Sequence, residues 1–399
     1  MEKPVAAVEF GSKKMKLVVG YELDGQVYVI YSLVRPYGSI IENGEIIDPT
    51  KIVQAMKEIK NFADPTVQLK LNIGEVLLAL PPYGLKIFNV QQSTGVFNEE
   101  GIIGKQEILN VHALIRNSQA PYGNALIDIV PLFYELTQGR RFTNPPFGQV
   151  SKTVRVGAMV HTLPKRIPDA YNAVVTPSGI NVKRNILAPF GAMTLLSSYE
   201  EVPASYILVD IGASMTTVSL IGEKRLYGST YFSWGGDSIT ERIIEKFNIN
   251  EADAEKYKIT YGIDNRVMNF KAPVCRSKDG EGNEIKHYTE ELNDIIKEEL
   301  NKFIKEFDGA VTELIKEYDP SYKGLPMILI GGGAQLNGLK EYIEPKVPSE
   351  TVTIITPRNL GARDATFTNV LGLILANKNN PSVYGDSHPH VGQVTRDDK

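Results

Sequence analysis

Val8-Glu9-Phe10-Gly11-Ser12, near the start of the chain, and Val209-Asp210-Ile211-Gly212-Ala213-Ser214, far downstream, are two copies of one unit. Each is an apolar strand with an acid near its end, a glycine turn, and a second apolar strand. Lys14 leads into Leu17-Val18-Val19-Gly20 after the first turn, and Val218-Ser219-Leu220-Ile221-Gly222 follows the second. A supersecondary unit repeated at long range predicts a chain made of two related halves. An acid beside a tight glycine-serine turn also lets backbone N–H groups cup a phosphate while a carboxylate reaches its metal. Taken singly, such a turn reads as an ordinary hairpin.

The turns gain weight from three segments downstream of them. Gly235-Gly236-Asp237 comes first, then Ala254-Glu255-Lys256-Tyr257-Lys258, then Gly331-Gly332-Gly333-Ala334-Gln335-Leu336 behind the apolar run Met327–Ile330. Glycines there permit a sharp turn and let a flat ligand approach the backbone. In this order the segments resemble the nucleotide site of the actin and sugar-kinase superfamily, and within it the bacterial cell-division actin FtsA. Leu360–Ala365 and Val370–Leu373 resemble that family's closing helix, so the resemblance runs over residues 1–377.

The bulk properties exclude several classes. At 399 residues the chain has room for two cores. A net charge of −4 gives no basic face for nucleic acid. Cys275 is the single cysteine, so no internal disulfide forms and a reducing compartment is expected. The start Met1-Glu2-Lys3-Pro4 shows no signal peptide, and no apolar run is long enough to span a bilayer, which together predict a cytoplasmic protein.

Strands are expected over 4–10, 15–20 and 27–34, the last pair joined at Asp24-Gly25. A helix is expected from Pro49 to about Phe62 and a strand over 76–80. Residues 83–163 change pattern, with strands at 86–97, 124–136 and 151–163 around a helix at 105–116, and read as an inserted subdomain. Beyond a second boundary near residue 204 lies another insertion, 237–326. It contains a polar loop, Ser277–His287, and a long amphipathic helix from Thr289 to Tyr318 whose stripe, from Ile295 to Ile315, reads as core. After a closing segment at 357–377, the tail 378–399 has no helical repeat of large apolar residues and is expected to be disordered and to bind membranes weakly.

The resemblance implies an α/β, actin-like, two-domain duplicated fold with an ATP cleft: a first domain over 1–203, with an FtsA-type subdomain at about 83–163, and a second over 204–356. It implies ATP and Mg²⁺ as cofactors. Glu9 and Asp210 would hold Mg²⁺ through water and position the attacking water. Backbone of Gly11, Ser12 and Lys13 and of Gly212, Ala213 and Ser214 would face the phosphates, with Lys14 as a point charge. Gly235, Gly236 and Asp237 would complete that site. Glu255 and Lys258 would bond the ribose, although at i, i+3 they also read as a surface ion pair. Gly331, Gly332 and Gly333 would admit adenine.

The first turn has Glu9 where the family usually has Asp. The second has Ala213, Ser214 and Met215 in place of small or hydroxyl residues and Thr217 in place of an acid. Since phosphoryl transfer depends on positioning and charge, these departures predict at most a slow ATPase. The implied partners are further copies of the chain in a polymer and the C-terminal tail of the division tubulin FtsZ, with Lys297, Lys302 and Lys305 as candidate contacts or as a solvated face. The implied place is the division site on the inner face of the cell membrane, reached weakly or through a partner. Alternatives are a pilus-assembly (PilM-like) or plasmid-segregation actin, and a sugar or acetate-type kinase.

Overall fold

The computed structural model describes residues 3–42, 44–64, 69–118, 120–263, 272–278, 280–318 and 324–378. Its two five-stranded sheets have the same topology. In the first, the order is Asn181–Leu187, Glu75–Leu80, Val5–Phe10, Lys14–Leu23, Gln26–Pro36. In the second it is Val352–Ile354, Met327–Ile330, Tyr206–Ile211, Thr216–Gly222, Arg225–Phe232. In both, the first three strands are parallel and the last three form an antiparallel meander. Near-continuous apolar strands such as Tyr206–Ile211 and Met327–Ile330 follow from burial on both faces.

The equivalence extends to single residues. Glu9 pairs with Lys16 across the first meander, and Asp210 with Thr217 across the second. Gly11 N–H donates to the Lys14 carbonyl at 3.0 Å, and Gly212 N–H to the Met215 carbonyl at 2.9 Å. Residues 9, 11, 14 and 16 therefore correspond to 210, 212, 215 and 217, a constant offset of 201.

Residues 86–164 contribute a separate antiparallel sheet, ordered Arg141–Phe142, Asn124–Leu136, Thr153–Pro164, Lys86–Gly95. The helix Lys105–Arg116 covers one face through Ile108, Val111 and Ile115, which pack with Ile129, Tyr134, Val154 and Val156. The long helix Thr289–Tyr318 buries Leu292, Ile296, Leu300, Phe303 and Phe307 in the second sheet's core, the place its apolar stripe demands. The final helix, Thr368–Lys378, packs on the first sheet with Val370, Leu371 and Ile374 against Ala7, Val18 and Leu77. It lies so close to the helix Ala188–Leu196 that a Cβ on Gly372 would overlap the Gly191 carbonyl.

Two expectations need correction. Ser277–His287 is not a loop: strands Pro273–Lys278 and Glu284–Tyr288 form a hairpin there, fastened by Ser277 and Glu291 on the His287 ring at 2.9 and 3.0 Å. Its polar residues form the exposed face of a two-stranded ribbon, so composition hid the pairing. The helix from Pro49 ends at Lys60, and Phe62 lies in a strand, Asn61–Asp64, paired with Leu69–Asn72. The tail expected to be disordered falls, from residue 379, outside the described residues. Among the described residues, no helix is long and apolar enough to cross a membrane.

Candidate functional site

The two turns meet. Ser214 Oγ donates to Ser12 Oγ at 2.6 Å, joining residues 202 positions apart. Around them lies a cleft of about 670 Å³. Glu9, Gly11, Ser12, Lys13, Lys14, Asp210, Gly212, Ala213, Gly236, Asp237, Glu255, Lys258, Gly332 and Gly333 line it, so most of the residues marked in the sequence converge here. Ser214, Gly235 and Gly331 are not part of its lining.

The glycine N–H groups at 11 and 212 close their own turns. Those of Ser12, Lys13, Ala213 and Ser214 make no backbone hydrogen bond to another described residue, which leaves two amides per turn for an anion. Gly236 and Asp237 instead donate to the carbonyls of Gly212 and Ala213 at 3.0 and 2.8 Å. The start of helix Gly236–Phe247 is thereby zipped to the second turn, and a Cβ on Gly235 would overlap the Ala213 carbonyl. Gly331, at φ +87°, and Gly333 serve close packing: side chains there would collide with Asp210 and Ile211. Of the three glycines Gly332 is the least crowded: a Cβ there would press on Thr366 Cγ2 at 3.3 Å, a contact that a small shift of that methyl relieves.

The charges are arranged in pairs. Lys13 bridges to Asp237 at 3.0 Å and Glu251 at 2.8 Å, tying the first turn to the other half of the molecule. Burial works against its ammonium, but hydrogen bonds to Glu251 and Asp237 outweigh it, and its pKa stands above the ordinary lysine value. Glu255 accepts from Lys258 at 2.6 Å and from Thr240 Oγ1 at 2.7 Å. Lys258, buried, also donates to the Gly236 carbonyl at 2.9 Å. The i, i+3 pair of the sequence is thus an ion pair at the cleft wall rather than on open surface.

Sequence reading passed over two residues at the centre. Lys16 Nζ lies 3.0 Å from Glu9 Oε2. Burial disfavours its charge, yet Glu9, Asp210 and the Glu9 hydrogen bond together raise its pKa. The available signal was strand alternation: Lys14 and Lys16 share a face. Asn369 Nδ2 donates both to Glu9 Oε1 at 2.9 Å and to Asp210 Oδ2 at 2.8 Å. Asp210 is raised above the usual carboxylate range, by burial first and by the Glu9 charge second, with Lys16 and Asn369 opposing. No sequence motif marks Asn369. Both acids are therefore engaged by protein donors, an arrangement that does not fit their expected role of holding magnesium. Among the described residues no three His, Cys, Asp or Glu side chains are grouped to hold a metal.

Residues 207–372 match the family model for the cell-division protein FtsA. The chain is similar to FtsA proteins and has an actin-like fold. It is 23% identical over 380 residues to the cell-division protein FtsA of Enterococcus hirae, covering 94% of this chain and 84% of that one. To FtsA of Buchnera aphidicola it is 26% identical over 389 residues, with 92% and 87% covered. Among solved structures, a PilM–PilN type IV pilus biogenesis complex matches with a TM-score of 0.59 and 17% identity over 93% of this chain and 98% of that one. MreB5 of Spiroplasma citri bound to AMPPNP matches with a TM-score of 0.55 and 16% identity, over 94% and 96%. These structures share the fold. The FtsA relatives extend over nearly all of it, including the segment that builds the separate four-stranded sheet.

The partner lysines of the FtsA reading lie away from the cleft, on the helix Thr289–Tyr318. Lys302 is committed to Glu299, which is 4% exposed, at 2.6 Å. Lys305 is exposed and Lys297 half-buried.

Proposed function

We propose that this chain is an FtsA-like actin of bacterial cell division. It binds ATP between two actin-like halves, residues 1–203 and 204–356, polymerises, and recruits FtsZ to the division ring at the inner face of the membrane. The observation that carries the nucleotide part is the meeting of two equivalent turns, each with two uncommitted N–H groups, at one cleft lined by four lysines, Lys13, Lys14, Lys16 and Lys258. Backbone donors and ammonium groups lining one cleft suit a polyphosphate. Any magnesium arrives on the phosphates, and no step is assigned to it. Turnover is slow at most, because Thr217 stands opposite Asp210 where an acid would help position water.

Gly332 tests the base site. Gly332→Val is expected to abolish ATP binding while the protein stays folded, because among the described residues beyond its chain neighbours Thr366 Cγ2 alone lies within 4 Å of the Cβ position, and the branched side chain enters the cleft. Calorimetry with ATP, beside a thermal melt, checks this; retained affinity would move the base elsewhere.

The FtsZ part rests on the relatives being FtsA proteins and on the long helix. Reversing Lys302 would place a second acid against buried Glu299 and confuse folding with binding, so Lys305 is the cleaner probe. Lys305→Glu is expected to weaken binding of a labelled FtsZ C-terminal peptide by about threefold to tenfold, the range of a rim charge worth roughly 1 kcal/mol. Unchanged anisotropy curves would place the tail on another surface.

A further inference from the structure

Glu9 and Asp210 come from opposite halves of the duplicated fold, and one side chain holds both. Asn369, the second residue of the closing helix, is 3% exposed, and its single Nδ2 reaches Glu9 Oε1 at 2.9 Å and Asp210 Oδ2 at 2.8 Å. The second Glu9 oxygen is taken by Lys16 at 3.0 Å. A carboxamide nitrogen carries two hydrogens, one for each acid. The opposite orientation would aim a carbonyl oxygen at two carboxylates, so the charges fix which way the amide points. Its own oxygen is then buried without a donor among the described residues, a cost the acids override.

A water molecule bound to a divalent cation does the same thing: one oxygen carries two polarised hydrogens, donated to two carboxylates. We propose that Asn369 takes the place of a metal-bound water between Glu9 and Asp210, so that this chain holds its nucleotide with little help from magnesium. The inference rests on the nucleotide site proposed for the cleft. It makes Asn369 a positioning residue, since it acts through the two acids. With Asn369 present, the acids are screened before nucleotide arrives. Without it Glu9 keeps only Lys16 and Asp210 loses the Asn369 donor, so a cation becomes necessary.

The experiment is calorimetric titration of ATP into the full chain, once in excess magnesium chloride and once in EDTA. The wild-type Kd is expected to change by less than about threefold between the two, and that of Asn369→Ala by about tenfold or more. The wild-type comparison needs no variant and decides by itself if Asn369→Ala does not fold: a wild-type loss of about tenfold or more in EDTA overturns the proposal. Equal magnesium dependence in wild type and Asn369→Ala overturns it while the nucleotide reading stands. Folded wild type that takes up ATP in neither buffer overturns both. Asn369→Asp gives a second readout without nucleotide. A third carboxylate between Glu9 and Asp210 is expected to create a divalent site, seen as a thermal shift with manganese chloride that wild type lacks. No gain with Asn369→Asp would mean that the space between Glu9 and Asp210 does not suit a hydrated cation, which overturns the proposal.

Discussion

Replacing Lys16 by methionine is expected to weaken ATP binding about 100-fold, on the order of 2.7 kcal/mol, through loss of a charge-assisted contact in a desolvated site. Lys16 sits opposite Glu9 in the first meander, with side-chain exposure of only 15%, pairs with Glu9 and feels the charge of Asp210. Methionine preserves the volume and removes the charge. Glu9 then loses its ion-pair partner, its charge bears on Asp210 without an opposing ammonium, and any phosphate entering the cleft meets two acids in place of a balanced cluster. Lys14 provides the contrast. It lines the same cleft but is exposed, so its charge is screened, and Lys14→Met is expected to cost much less affinity. Calorimetry on both variants, with circular dichroism to establish folding, separates the roles. Equal losses in the two variants, or a change below about threefold in Lys16→Met, would place the phosphates away from Glu9 and Lys16.

That Lys16 and not Lys14 pairs with Glu9 shows where sequence reading stops. The repeated turn, the triple glycine and their order were legible because each is local: a strand, an acid and a glycine within a few residues. From them came the duplicated fold, whose two sheets share strand order and an offset of 201 between equivalent residues. Lys14 and Lys16 share one face of the strand, and which of them meets an acid depends on the pairing across the meander, where Lys16 stands opposite Glu9. Asn369 was illegible for another reason. It is a polar residue in the first turn of a helix whose middle is apolar, and its partners are 360 and 159 positions away. Only the packing of the closing helix on the first sheet brings it between them. The glycines of 331–333 point the same way. Their composition suggested room for a flat base, yet two of the three are needed because the chain passes so close to Asp210 and Ile211.

Arg184→Met is expected to destabilise the protein by about 3–5 kcal/mol, the usual cost of stripping one partner from a buried ion pair. Arg184 lies on the edge strand Asn181–Leu187 and reaches Asp128 Oδ1 at 2.9 Å, with side-chain exposures of 8% and 0%. Its other amino group donates to the carbonyl of Ala376 at 3.1 Å. One guanidinium thus fastens the separate four-stranded sheet, through Asp128, to the end of the closing helix. Methionine leaves Asp128 in the interior without that cation. It also frees the last turn of the helix that carries Asn369 near its beginning. Adding Asp128→Asn should recover part of the loss, because the remaining group is then uncharged, and the double-mutant cycle reads the coupling directly. Denaturant melts measure both. A loss below about 1 kcal/mol in the single variant would mean that Asp128 finds other donors as good. If the loss is as large as expected, ATP affinity in Arg184→Met should also fall, since the helix that spans from Ala376 to Asn369 is what connects the separate sheet to the two acids.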